Sequence, residues 1–475
     1  MTCLRCLLVG SLVAIYSCKQ PDNQGLTLGF GKEARVIMSM SVGYTGIIAS
    51  SSNIRIAFVT VDIRGASQAL EVNGRMLVRA DAFSHVSFSS DPTERLAYAA
   101  RTGQAWSVFL DGKVLLAGLS EVGEIIWGPA GDLFVTGVRN GKAFLWRNGK
   151  ELATGREISN VAISDDGKRV ACVVFDGEWR VWHNGEFESG YQRIGPPQFL
   201  RNGISYIASY GLGSLVVAAG KELATHDQVE HLRCSTSCDE PFYIARDEEC
   251  TSLYKGGVLV YRGQGIKNWL LDQAGRSIFV AHTDGKDVLY ADDRPIRSHG
   301  SITEVSILEG GEVAYIYSDG SRDVLATLTQ GIILGAEQLV GPIFGIPGMR
   351  IGCLEASGQR LRVVWRGGGG PWYDRVSKPV VIGPTEVVYC GVSGQDVFLQ
   401  TDRWRTPMGE WMLPAQSGSD VVNEIGHRKR GLCFHGKRGS YTTLVPSPWI
   451  DANRRVVRYL VLTPGGVGIA ERTIP

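Results

Sequence analysis

Between residues 46 and 415 the chain is written in short alternations of apolar and polar residues, closed by Gly, Asn-Gly or Asp-Gly steps. The stretch "VSFSSDPTERLAYAARTGQAWSVFLDGKVLLAG" divides into four runs, at Val86–Ser89, Arg95–Arg101, Gln104–Leu110 and Lys113–Ala117. A period of two sends alternate side chains to opposite faces, so each run predicts a strand. The dipeptides between them suit two-residue hairpins, whose central residues need φ > 0. "EIIWGPAGDLFVTGVRNGKAFLWRNGKELATG" and "VAISDDGKRVACVVFDGEWRVWHNGEFESG" spell the same four-strand order again.

The order is periodic. A turn column runs at near-equal spacing through Gly74, Gly112, Gly149, Gly185, Gly220, Gly256, Asp293, Gly331, Gly368 and Asp402. GKELAT occurs at Gly149–Thr154 and again at Gly220–Thr225, two steps further along that column. Three residues before the turn stands Phe109, Trp146, Trp182, Val217, Leu253, Tyr290, Leu328, Trp365 or Leu399, and only Glu71 departs. A bulky apolar residue at one fixed point of a strand marks a core position. A second column holds Gly103, Gly141, Gly177, Gly213, Gly285, Gly320, Gly358 and Gly394, with a gap near Glu249. Helical repeats share this period. They are excluded by β-branched and aromatic alternation and by closely spaced hairpin turns.

About ten repeats of roughly 36 residues, each of four antiparallel strands, predict an all-β fold, a β-propeller. The repeats "VAISDDGKRVACV" and "VSFSSDPTERLAYAA" resemble those of bacterial TolB-type and WD-like propellers. That resemblance implies the fold and a tendency to bind other proteins. The Trp-Asp and Gly-His signatures of WD repeats, the Asp-box of sialidases and the Trp motif of quinoprotein propellers are missing. Propellers typically have about 4 to 8 blades. Two propeller halves of five repeats are therefore favoured, over 46–228 and 229–475, with a seam near His226–His231. The lack of a Pro/Ser-rich linker there leaves one large ring open. The second half ends in an irregular basic region.

Composition changes this picture little. Glycine numbers 60, well above the usual share, with no collagen period. Lys plus Arg at 49 against Asp plus Glu at 48 gives no global attraction to nucleic acid. The first residues differ. "MTCLRCLLVGSLVAIYSC" has Arg5, an apolar run from Leu7 to Ile15, then Ser17-Cys18. The run is too short to span a bilayer and has the length of a signal-peptide core. Ile15-Tyr16-Ser17-Cys18 resembles the lipobox of bacterial lipoproteins. The resemblance implies a signal peptide over 1–17, a lipidated Cys18, and a tether with an entry strand over 18–45. The protein is then expected in a bacterial cell envelope, held to a membrane by its N-terminal lipid.

Candidate chemistry is sparse. Seven cysteines follow Cys18. Cys172, Cys353 and Cys390 fall in or beside a core column and read as small buried hydrophobes. Cys234, Cys238 and Cys250 break the pattern. An oxidising compartment favours a disulfide among them, with free thiols, or zinc with His226 or His231, as alternatives. The eight histidines read as solvated residues near turns, and the recurring Asp-Gly pairs as turns, because a catalytic residue should be singular. No catalytic residue, cofactor or metal is expected. "WRGGGGPWYD" lacks a phosphate-loop ending and predicts a loose turn, with Trp372 and Tyr373 as an exposed aromatic tip. Residues 403–475 hold 11 Lys/Arg against 5 Asp/Glu, with "HRKRG" contributing Arg428, Lys429 and Arg430 as contacts for an acidic partner. The expected role is a platform for other envelope proteins, not an enzyme. The alternative is a glycan-binding propeller or a glycoside hydrolase.

Overall fold

The computed structural model describes residues 43–411 except 51–54, 62–66, 74, 212, 273, 346–349, 377–378, 383–385, 395 and 402–404. It also describes the strands Arg35–Met38, Leu432–His435, Thr442–Asp451, Val456–Thr463 and Gly466–Thr473. Strand follows strand throughout, with one 3-10 turn at Glu309–Gly311 among the described residues.

Nine antiparallel sheets follow one another at 43–80, 82–119, 121–155, 157–187, 193–226, 228–263, 266–299, 301–336 and 339–369, and a tenth begins at 375 and continues past 411 into Leu432–His435, Glu410 pairing with His435. In most, the four strands pair in chain order, first to second to third to fourth. This is the repeating sheet of a β-propeller, and the core lies between successive sheets. The seventh sheet shows how. In its second strand, Ser277–Thr283, Phe279 and Ala281 join a cluster with Phe242 and Leu253 of the sixth sheet. The intervening Ile278 and Val280 join Val305 and Tyr315 of the eighth. Both faces are buried, as the apolar run requires.

The described residues form two compact units. One holds the sheets up to residue 117 together with the strands from Thr442 onward. In it, Ala57, Leu70, Phe88, Leu96 and Tyr98 form the core between the first two sheets. Its C-terminal strands pair in order, and Arg35–Met38 adds to the last of them, Arg35 opposite Ile469. The other unit holds the described residues of 118–416, with Phe434 and His435. The expected seam falls within this second unit. There Val216 of the fifth sheet packs with Val229 and Tyr243 of the sixth.

Polar columns serve the fold. At four of the column turns the first turn residue has φ > 0 and its side chain reaches back to the second strand. Asp111 accepts from Leu96 N–H, Asn148 from Leu133, Asn184 from Val170 and Asp292 from Ser277, at 2.9–3.1 Å. A second device links sheets. Gln68, Ser214, Asp287 and Asp323, each opening or near the start of a third strand, accept the N–H of Phe83, Val229, Ile302 and Leu339 in the next sheet. The serines of the "FSS" and "ISDDGKR" motifs close hairpins, Ser89 accepting from Arg95 N–H and Ser164 from Arg169 N–H. First strands carry a bulge, as at His85, Asn160 and Asn268, all with φ near 52°. That bulge lets the second sheet's first strand run Ala82–Phe88, starting ahead of the predicted Val86.

Three turn assignments shift. Gly211, not Gly213, and Gly367, not Gly368, hold the positive φ, because Gly213 and Gly368 already begin strands. Where the second glycine column fails, Glu248 takes φ 54° itself, its N–H bonded to Asp227.

The fourth and ninth sheets end alike. Their last strands shrink to Glu186–Phe187 and Gly368–Gly369. Then Tyr191 bridges Trp179 and Tyr373 bridges Leu361. "YQRIGPPQFL" from Tyr191 matches "YDRVSKPVVI" from Tyr373 in its Tyr, Arg and second Pro and in its apolar positions, five sheets further along.

Candidate functional site

Cys18, Arg428, Lys429 and Arg430 lie outside the described residues. Cys234, Cys238 and Cys250 are free thiols in this structure. The pairing Arg233 with Phe242 puts Cys234 at one end of the sixth sheet, while Asp247 with Cys250 puts Cys250 at the other. Six-residue strands separate the ends by roughly 20 Å, and a disulfide needs Cα atoms within about 7 Å. Cys238 sits in the loop between the first two strands, its Sγ 3.7 Å from the Ala274 carbonyl. Burial pushes the Cys172, Cys234 and Cys353 thiols up to about 12, so they stay protonated and inert.

Tyr373 is not an exposed tip. It is fully buried in the cluster of Phe344, Leu354 and Tyr389, and its hydroxyl donates to Gln400 Oε1 at 2.9 Å. The glycines around it make the room. A Cβ on Gly370 would overlap Tyr389 Oη, and one on Gly391 would run into the Tyr373 ring. Trp372 is half-buried under the Arg362 guanidinium, 4.7 Å from the ring centroid.

Not all the histidines are solvated. His226 is buried, with Nδ1 2.8 Å from Asp247 Oδ2 and its ring beside Tyr254. Asp247 also accepts the Asp227 N–H. Burial alone would raise its carboxyl, but these hydrogen bonds hold it below the ordinary range. The pair ties the fourth strand of the fifth sheet to a turn of the sixth, a packing role. Two carboxylates, Glu188 and Glu222, each take a tyrosine hydroxyl at the echoed junction. Tyr206 donates to Glu188 and Tyr191 to Glu222, each at 2.9 Å, with the two rings edge-on at 6.1 Å. Burial raises Glu188.

One site with room for a ligand among the described residues is an open cleft of about 490 Å³ between the sixth and seventh sheets. One wall is Tyr261, Arg262 and Gln264, at the end of the fourth strand Val258–Gly263. The other is His282, Thr283 and Asp284, at the turn after Ser277–Thr283, with Tyr290 behind. His282 is held from inside. Its Nδ1 lies 3.1 Å from Asp287 Oδ1, while Asp287 Oδ2 accepts from Lys267 Nζ at 2.6 Å and from Ile302 N–H at 2.7 Å. Burial would raise Asp287, but Lys267, the amide and His282 outweigh it and hold the carboxyl below its ordinary value. An ionised carboxylate only accepts, so the His282 nitrogen that faces it, Nδ1, carries a proton. Thr283 Oγ1 is buried without a hydrogen-bond partner among the described residues. Tyr290 stacks flat on Phe279 at 4.8 Å and meets Tyr261 at 5.4 Å. Among the described residues no group of three His, Cys, Asp or Glu side chains could hold a metal.

Periodicity draws attention to columns and hides this cleft. The signal is present all the same. Three residues before the second glycine column stand Ala100, Val138 and Val174, and at the same place in the seventh sheet stands His282.

No family model matches the chain, and no curated protein matches it. Among solved structures it is similar to a eukaryotic initiation factor, at 10% identity and TM-score 0.36, covering 63% of this chain and 89% of that one. It is also similar to the Swd1 propeller domain of Myceliophteria thermophila, at 11% identity and TM-score 0.25, covering 52% and 96%. TolB from Acinetobacter baumannii is a third, at 14% identity and TM-score 0.24, covering 51% and 76%. Nothing about ligands or activity follows from likenesses at this level.

Proposed function

We propose that this chain is an exported lipoprotein, anchored through Cys18, whose propeller repeats form a platform for other proteins of a bacterial cell envelope, and that it is not an enzyme. One observation carries the reading. The second residue of the fourth strand, on the sheet edge, is exposed and apolar in five sheets: Met76, Val114, Phe187, Leu259 and Ile332, at 49–61% of full exposure. An edge strand offers unpaired backbone groups, and apolar side chains along it suit contact with another protein. The GKELAT copies carry Glu151 and Glu222 at that position, so the apolar choice is not needed for folding. The lipobox-like segment supports export. The echo of Tyr191 at Tyr373 supports a division of the repeats into two sets of five. The basic residues Arg428, Lys429 and Arg430 add long-range attraction to an acidic partner.

The test is in-cell cross-linking with mass spectrometry. Val114→Glu with Ile332→Glu should reduce recovery of partners while thermal melts stay unchanged. Neutralising Arg428, Lys429 and Arg430 should do the same, more strongly at low salt. Labelled palmitate should mark the wild type and not Cys18→Ala. If every variant retains all partners, the platform reading fails.

A further inference from the structure

We infer that the cleft between the sixth and seventh sheets binds a neutral oligosaccharide. Its volume, about 490 Å³, lies in the range of small-molecule sites, about 300–1,000 Å³. The character of its walls selects the ligand class. Arg262 is the exposed cation there, and Asp284 on the facing wall and Asp247 nearby offset it. An anionic ligand needs an excess of positive charge, which this balance denies. An apolar ligand would cover Arg262, Gln264 and His282 without offering them partners, at a cost.

A sugar hydroxyl both donates and accepts, and the cleft offers both kinds of partner. Arg262 donates. With its Nδ1 proton turned to Asp287, His282 leaves Nε2, an acceptor in the neutral ring and a donor in the protonated one. The Gln264 amide does either. Tyr261 and Tyr290 supply aromatic surface against which the apolar face of a sugar ring can lie.

The aromatic wall is tightly built. A Cβ on Gly263 would overlap Tyr261 Oη and stand 2.7 Å from its ring, so any side chain there must move the ring. The anchoring of His282 is equally specific, through a carboxylate held by Lys267 and the Ile302 amide of the next sheet. Both features fix the walls before a ligand arrives, and preorganisation lowers the cost of binding.

The experiment uses the purified full chain in detergent on a printed array of neutral and of sulfated or sialylated oligosaccharides. Wild type should retain a set of neutral saccharides. Arg262→Ala, an exposed change that should leave the melting temperature unaltered, should weaken that retention at least tenfold. Gly263→Ala should weaken it comparably by displacing Tyr261. If Gly263→Ala does not fold, Arg262→Ala decides alone. Retention of no neutral saccharide, equal retention by Arg262→Ala, or retention of charged saccharides only overturns the inference. Cross-linked protein partners should be the same with Arg262→Ala as with wild type, so this site can fail while the platform reading stands, and the reverse.

Discussion

Tyr373 donates its hydroxyl to Gln400 where its counterpart Tyr191 donates to Glu222, each at 2.9 Å. Each ring then meets a second tyrosine edge-on, Tyr389 at 6.2 Å and Tyr206 at 6.1 Å. The two junctions share a geometry and differ in charge. Gly370 stands in the second where Glu188 stands in the first, so the two carboxylates belong to one copy alone.

Tyr373 should therefore behave as core. Tyr373→Ala should cost about 3–5 kcal/mol, as large-to-small aromatic changes do. Tyr373→Phe should cost about 1–3 kcal/mol, by taking the hydroxyl donor away from Gln400. Trp372→Ala should cost less than Tyr373→Ala, since Trp372 is only half-buried and its cation–π contact contributes about 0.5–2 kcal/mol. Urea denaturation of the three variants gives the order directly. A Tyr373→Ala variant as stable as wild type would contradict its burial.

Gly149 and Gly220, the starts of the two GKELAT copies, both hold positive φ, 83° and 74°. Nothing stands within 4 Å of a Cβ placed on Gly220, so substitution there tests the backbone and not crowding. Val at either site should cost more than about 1 kcal/mol, because a β-branched side chain resists that region. Equal melting temperatures for wild type and both variants would exclude the turn geometry.

These turns are legible in the sequence because glycine and Asn or Asp report φ directly. The core columns are legible too, since Trp146, Trp182 and Leu253 recur at one strand position and are buried. Tyr373 reads as exposed in the sequence because its burial depends on Gly391, a residue of the next sheet, and no local pattern encodes that approach. The cleft is hidden for a similar reason. Tyr261 and His282 lie in different repeats and face each other only because successive sheets stack. The free cysteines follow from strand register, which puts Cys234 and Cys250 at opposite ends of one sheet.

Thiol reactivity should sort the cysteines by burial. Cys172, Cys234 and Cys353, with thiols pushed up to about 12, present almost no thiolate at neutral pH. Brief alkylation of the native chain at pH 8 followed by peptide mass spectrometry should label Cys238 and Cys250 at least tenfold faster. Early labelling of Cys234 would place it outside the cluster between the fifth and sixth sheets.

Asp287 should shape the acid limb of stability. Its folded carboxyl lies below the ordinary value, about 3.9 in an unfolded chain. A depressed carboxyl contributes stability above the unfolded value and loses it as pH falls through the folded one. Glu188 and Glu304 act in the opposite sense, since burial raises both, and acidification towards the unfolded value stabilises the fold through them. The whole-protein curve therefore mixes the two, and a comparison with Asp287→Asn isolates one. Asn keeps the shape and cannot offer a charge to Lys267 Nζ or to a protonated His282. The variant should be less stable than wild type by about 1–3 kcal/mol at pH 7. That gap should hold down to about pH 4 and close below it, as wild-type Asp287 takes up its proton. The groups facing Asp287 are Lys267, His282 and the Ile302 amide. A His282→Ala background removes the contribution of that ring. A gap that stays constant from pH 7 to pH 3 in both backgrounds would mean that Asp287 is not an ionised hub between the seventh and eighth sheets, and His282 would then lose the acceptor that fixes its proton on Nδ1.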